Sequence, residues 1–91
     1  MSRYAWDLEK ARVNLAKHGV SFDEAQTVPE SSLALWLPDH AHSDDEERSW
    51  VIGPSAFGTL LLVVTSERGP RPRIISAWRA TKRERRAYEG R

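Results

Sequence analysis

Apolar residues in the first part of the chain recur at the spacing of an amphipathic helix. The positions that fall roughly on one helical stripe are Leu8, Ala11, Leu15 and Val20. Asp7 stands directly before this pattern as a residue type that caps helix N-termini, and Gly19 is placed to end the helix. The pattern therefore predicts a helix of about three turns.

A second, shorter helix is predicted to follow at once. Ser21 and Glu24 have the Ser-x-x-Glu spacing of a capping box, in which each side chain satisfies a backbone N–H at the helix start. Pro29 lacks a backbone donor and pushes Val28 out of helical geometry. Because of that proline, we expect this helix to run for only about two turns.

After the helices, the period of the apolar pattern changes from about 3.6 residues to about 2. Strand-like runs separated by glycines and prolines cover 33–37, 48–52, 59–66 and 73–78. Their short connections predict antiparallel neighbours. The run 59–66 is apolar on both alternations, which predicts a central strand covered on both faces, and residues 4–6 could add a short edge strand.

A third helix is predicted at the C-terminal end of the chain, opened by a second capping box of Thr81 with Glu84 and closing near Gly90. Lys82 and Arg83 then lie in its first turn, where the helix dipole disfavours cations. A helix N-terminus flanked by cations suits a bound anion. Together the elements predict an α+β fold with two N-terminal helices, an antiparallel sheet of about four strands and one C-terminal helix.

Length and composition narrow the class of protein. The chain has 91 residues, 40% hydrophobic and 30% charged, which predicts one globular domain over 1–91. It has no cysteine, which excludes disulfide frameworks, thiol catalysis and cysteine-based zinc sites. Its first residues have no signal-peptide pattern, and the longest apolar run, 60–64, is far below the ~20 residues that span a bilayer. We therefore expect a cytoplasmic protein without a membrane segment.

Charge is distributed very unevenly along the chain. The net charge is only +1, but nine of the fourteen basic residues follow position 67, while residues 21–67 hold nine acidic side chains and one basic one. A basic pole of this density is typical of proteins that bind phosphate or an acidic protein. The alternative is that the basic and acidic segments simply neutralise each other within the fold.

Several segments, in order along nearly the whole chain, resemble the BrnT family of toxins from bacterial type II toxin–antitoxin systems. They are WDLEKARVNLAKHGVSFDEA, DDEERSWVIGPSAFGTLLLVV, ERG and RIISAWRATKRERRAYE. The resemblance implies a RelE-like α+β fold and a metal-independent ribonuclease, without a cofactor, that arrests translation. It also implies an RNA substrate, a BrnA-type antitoxin with a ribbon-helix-helix domain, and contact with promoter DNA only through the antitoxin complex.

RNA cleavage without a metal needs a base for the ribose 2′-OH, cations for the charge that develops on phosphate, and an acid for the leaving oxygen. Arginine suits the second role because its guanidinium is always charged and binds phosphate in a fork. The candidate catalytic residues are Arg48, Arg73, Arg79 and His18. The candidate RNA-binding residues are Lys82, Arg83, Arg85, Arg86 and Trp78.

Several candidates also have a structural alternative. Strict alternation would place Arg73 and Arg79 on one face of their strand, where both could contact one ligand, or they could pair with the acidic segment 44–47. Arg48 matches the Glu-Glu-Arg pattern of the family. His18 lies in the Lys-His-Gly motif and could transfer a proton, or it could cap the helix C-terminus.

Two positions depart from the family pattern. Trp78 stands where an arginine usually follows Ile-Ser-Ala, and Thr65 stands where a histidine or aromatic residue is common. Trp78 could stack on a base or pack in the core. Loss of that arginine leads to the alternative function, a toxin homologue with weak or no catalysis that retains RNA and antitoxin binding.

The segment 39–47 contains side chains of the types that bind zinc or another transition metal. They are Asp39, His40, His42, Asp44 and Asp45. All come from one predicted loop and lack the helical spacing of a metal motif, so we favour a solvated acidic loop over a metal site.

Overall fold

The computed structural model describes residues 3–38, 48–67 and 69–91. Its elements, in chain order, are α1 (Leu8–His18), α2 (Phe22–Ala25), β1 (Leu35–Pro38), β2 (Arg48–Pro54), β3 (Leu60–Ser66), β4 (Arg73–Arg79) and α3 (Lys82–Glu89). The strands form an antiparallel sheet in the order β1-β2-β3-β4. The predicted α+β fold is therefore confirmed. At the N-terminal end, the predicted strand 4–6 contributes a single parallel bridge from Ala5 to Arg73.

The ends of α1 form as the sequence predicts. Asp7 accepts hydrogen bonds from the backbone N–H groups of Glu9, at 2.7 Å, and Lys10, at 3.2 Å. Gly19 ends the helix at φ +70°, a left-handed conformation that glycine adopts without strain, and its N–H donates to the carbonyl of Leu15. Local capping is thus sufficient to determine where this helix begins and ends.

The lowered pKa of Asp7 makes the stability of the chain depend on pH. Backbone hydrogen bonds from Lys10 and then Glu9 lower the pKa of this carboxyl. Its contribution is therefore present above the unfolded-chain pKa of about 4 and is lost as pH falls through the lower folded pKa. We expect Asp7→Asn, which retains a capping side chain without titrating, to flatten the acid side of the stability curve. Urea unfolding at several pH values tests this, and parallel curves for the two proteins would contradict it.

Helix α2 is shorter than predicted. It has four residues, about one turn, and Ser21 accepts a hydrogen bond from the Glu24 N–H at 3.0 Å, which is half of the predicted capping box. The Glu24 carboxylate accepts a hydrogen bond from the Ser55 hydroxyl at 2.7 Å, in the loop between β2 and β3. The chain ahead of Pro29 then continues in tight turns, because the proline prevents further helix.

The core consists of two clusters, one on each face of the sheet. On the face towards α1 and α2, the buried residues are Tyr4, Val20, Phe22, Ala25, Val28, Val51, Leu61, Val63, Ile74 and Ala77. On the other face they are Ile52, Leu60, Leu62 and Val64, with Trp50, Trp78 and Tyr88 packed against them. Strand β3 is buried at every position, which confirms the predicted central strand.

The predicted apolar stripe of α1 is only partly confirmed, since Val20 is buried and Ala11 packs against the first core cluster while the two leucines are exposed. Leu8 is 81% exposed and Leu15 51% exposed, whereas Asn14 is only 5% exposed. The reason is that α1 lies against the edge of β4, where backbone polar groups need hydrogen-bond partners. Asn14 supplies them, since its side-chain amide binds both the N–H and the carbonyl of Ala77, at 3.1 and 2.9 Å.

The predicted alternation of β4 is also wrong. Val64 pairs with Ser76 and Thr65 with Ile74, so Ile75 has no cross-strand partner and forms a β-bulge. Beyond the bulge, each side chain points to the face opposite to the one that strict alternation predicts. Ala77 therefore lies with Ile74 in the first core cluster. The consequence for the candidate site is that Arg73 and Arg79, at the two ends of this strand, point to opposite faces.

Candidate nucleic-acid interface

A cleft of about 710 Å³ opens where the C-terminal end of α1 meets the end of β4. Its lining residues are Lys17, His18, Ser76, Trp78, Arg79 and Thr81. Helix α1 contributes the first two, β4 the next three, and Thr81 begins the connection to α3. The cleft therefore brings together basic side chains and an aromatic ring from segments far apart in the sequence.

Asn14 holds the two walls of this cleft together. Its Nδ2 donates to the carbonyls of Val20, at 3.0 Å, and Ala77, at 2.9 Å. Its Oδ1 accepts from the Ala77 N–H and the Ser76 hydroxyl, both at 3.1 Å. One helical turn further along the same face of α1 come Lys17 and His18, so this buried amide determines where they stand relative to β4.

Trp78 is held on one side of the cleft by a hydrogen bond and a ring contact. Its indole N–H donates to Glu84 Oε1 at 3.1 Å, and its ring lies edge-on to Trp50 at a centroid distance of 6.0 Å. The same Glu84 oxygen accepts the Thr81 N–H at 2.9 Å, which completes the predicted capping box of α3. The His18 ring lies 5.9 Å from Trp78 at 46°. Trp78 thus packs against the second core cluster and also borders the cleft, while its role in base stacking stays a prediction.

The basic side chains of α3 add positive charge next to the cleft. Lys82 and Arg83 lie in its first turn, directly after Thr81, and both are exposed. Further along, Arg85 pairs with Glu89 at 3.6 Å and the Arg86 Nε donates to the carbonyl of Lys82 at 3.5 Å. The predicted cationic helix N-terminus is therefore present next to Arg79, and binding of RNA by these four residues remains a prediction.

The predicted catalytic arginines do not form one group. Arg48 and Arg73 are both paired with Ser66 across the sheet, which places them about 10 Å apart at one end of it. Arg79 pairs with Leu61 at the opposite end, six residues or about 20 Å along β4 from Arg73. The inference that Arg73 and Arg79 contact one ligand from a shared face is therefore wrong. Of the four candidates, the structure brings together only Arg79 and His18.

Comparison with known proteins identifies the family. A family model described as the ribonuclease toxin BrnT of a type II toxin–antitoxin system matches residues 6–84. The chain belongs to the BrnT family. Membership places the chain among the ribonuclease toxins of type II systems and implies an antitoxin as partner. No curated protein sequence matches the chain.

A solved structure of the same family has the same fold. The crystal structure of the Brucella abortus ribonuclease toxin BrnT matches with a TM-score of 0.66 and 23% sequence identity, covering 87% of this chain and 96% of that one. The span 6–84 includes both walls of the cleft, from α1 through the capping residue Glu84. The cleft is thus built from the part of the chain that defines BrnT membership.

Sequence reasoning missed Lys17 as a site residue. It is the first residue of the Lys-His-Gly motif, which drew attention only to His18. The available signal was its spacing, since Lys17 lies three residues after Asn14 and so shares its face of α1. That signal had no meaning until Asn14 was known to face the sheet.

The cleft has the components for chemistry on a phosphodiester. Lys17 and Arg79 can neutralise phosphate oxygens, and the His18 imidazole can accept or donate a proton. Among the described residues, no group of three or more His, Cys, Asp or Glu side chains is placed to hold a metal ion. The segment 39–47, with His40 and His42, lies outside the described residues, as do the carboxylates predicted as alternative partners for Arg73 and Arg79. No helix within the described ranges is long and apolar enough to span a bilayer.

Proposed function

We propose that this BrnT-family chain is a metal-independent endoribonuclease that arrests translation in the cytoplasm by cutting RNA at the cleft of Lys17, His18 and Arg79. The observation that supports this most is the convergence of two cations and an imidazole from α1 and β4 in one cleft. A BrnA-type ribbon-helix-helix antitoxin neutralises it by covering part of the 73–86 surface, and promoter DNA is contacted only through that complex.

The proposed reaction needs no group beyond the chain and the RNA. The ribose 2′-OH attacks the adjacent phosphorus, and the bond from phosphorus to the 5′-oxygen breaks, which gives a 2′,3′-cyclic phosphate and a free 5′-OH. Arg79 and Lys17 stabilise the charge that accumulates on the phosphoryl oxygens. His18 takes the 2′-OH proton and, as the imidazolium, returns it to the departing 5′-oxygen. Trp78 offers a fixed surface on which a neighbouring base can stack.

The first test is cleavage of total RNA by the purified protein with and without EDTA. We expect the same cleavage in both samples, with cyclic phosphate at the new 3′ ends. Intact RNA at high protein concentration would contradict a ribonuclease, and cleavage that disappears with EDTA would contradict metal independence.

The alternative is a homologue that binds RNA and antitoxin but cuts weakly or not at all. The observation that favours it is Trp78, which stands in place of the usual arginine. Its indole N–H donates a hydrogen bond to the Glu84 carboxylate. In that case RNA binds with a salt slope of about −0.7 per phosphate contact and stays intact. Trp78→Arg, whose guanidinium could pair with Glu84, would then increase cleavage. Under the main proposal it does not.

A further inference from the structure

A second concavity of about 250 Å³ adjoins the cleft along the seam between α1 and β4. The two share Lys17, His18 and Ser76, so they adjoin along this seam, and together they are named the groove. We propose that single-stranded RNA follows this groove away from the cleft and that Lys10 binds one of its backbone phosphates. This inference rests on the proposed function and extends its RNA footprint by about two helical turns.

The spacing of the cations supports a strand laid along the groove. Lys10 and Lys17 are seven residues apart on α1, which places them on the same face and about 10 Å apart along the helix axis. Arg79 continues the series on the other wall of the cleft. Cations that repeat along a groove match the repeated negative charge of an RNA backbone, whereas a single phosphate ligand would need them clustered.

The remaining lining suits sugars and bases. Val13 projects from α1, and Ile75, the bulge residue without a cross-strand partner, comes from β4. Ile75 packs only partly against the second core cluster and so adds apolar surface to the floor of the groove. A basic groove that follows the backbone is how proteins hold single strands without reading a specific sequence, and here α1 supplies the cations beside the apolar surface of Val13 and Ile75.

The acidic residues nearby offset this charge only in part. Glu9 lines the far end of the groove, but its carboxylate forms an ion pair with Arg12 on the same helix. Asp7, which interacts electrostatically with Lys10, accepts two backbone N–H groups at the start of α1. Three cations therefore face one paired carboxylate along the full groove.

The test compares Lys10→Ala with Arg12→Ala. Both remove one exposed cation from α1, but Lys10 lines this groove, whereas Arg12 lines a different one beside Trp6. Both are made in a Glu9→Gln background so that loss of Arg12 does not release a carboxylate at the groove. Binding is measured over a range of salt with an unstructured RNA of about 12 nucleotides, 2′-O-methylated to prevent cleavage.

We expect Lys10→Ala to weaken binding about threefold to tenfold at low salt and to reduce the magnitude of the salt slope by about 0.7. Arg12→Ala should change neither, and an RNA of about 3 nucleotides, which fills only the cleft, should not distinguish the variants. Equal losses of affinity in both variants would mean that only the net charge of the protein matters, which would overturn the inference. If Arg79→Ala weakens binding while Lys10→Ala does not, the groove is refuted and the proposed function stands. If the unaltered chain binds no RNA, both fall.

Discussion

Replacing Arg79 with alanine will slow RNA cleavage by about a hundredfold, the typical loss when one preorganised group that stabilises transition-state charge is removed. Arg79 is the arginine at the cleft, and Lys17 across from it is a compact charge that cannot grip phosphate in a fork. Single-turnover cleavage of a defined RNA measures this effect. Because the side chain is exposed at the end of β4, stability should change by less than about 0.5 kcal/mol.

Arg73→Ala is the matched control, since Arg73 is the exposed arginine at the other end of the same strand. Strict alternation predicts equal losses from the two variants, because it places both arginines on one face. The bulge at Ile75 predicts that only Arg79→Ala slows cleavage. Equal losses would contradict a site confined to the cleft, and a loss confined to Arg73→Ala would move the site to the end of the sheet where Arg48 and Arg73 lie.

The order of helices and strands was predictable because it depends on local signals. Asp7 and Gly19 determine the ends of α1 through their own backbone contacts, and the box of Thr81 with Glu84 opens α3. The uniformly apolar run in β3 indicated a strand covered on both faces, and both faces are covered. None of these features requires knowledge of a distant part of the chain.

The arrangement of the site was not predictable, because it depends on contacts between distant segments. A bulge at Ile75 leaves no mark in a sequence that reads as continuous alternation, yet it reverses the face of Arg79. The edge of β4 needs a polar partner, which is why Asn14 is buried there while Leu8 and Leu15 of the expected stripe are exposed. Lys17 lines the cleft because it lies about one turn after Asn14 on the same face of α1.

Asn14 carries the largest expected effect on stability. Its side chain is buried and makes four hydrogen bonds, three of them to backbone groups of Val20 and Ala77. Asn14→Ala leaves those three backbone groups without partners, at about 1–3 kcal/mol each, so we expect a loss of at least about 3 kcal/mol. That is a large part of the total stability of about 5–15 kcal/mol of a typical domain. Urea unfolding followed by circular dichroism measures the loss.

Two further variants separate the contribution of the Asn14 hydrogen bonds to stability from the effect of shortening a side chain. Val13→Ala shortens the neighbouring, half-exposed residue of α1 and should cost less than about 0.5 kcal/mol. Ser76→Ala removes one of the four bonds to Asn14 and should cost about 1 kcal/mol. If Asn14→Ala costs no more than Ser76→Ala, water replaces the amide at the β4 edge. Asn14 would then not be what holds Lys17 and His18 against Arg79.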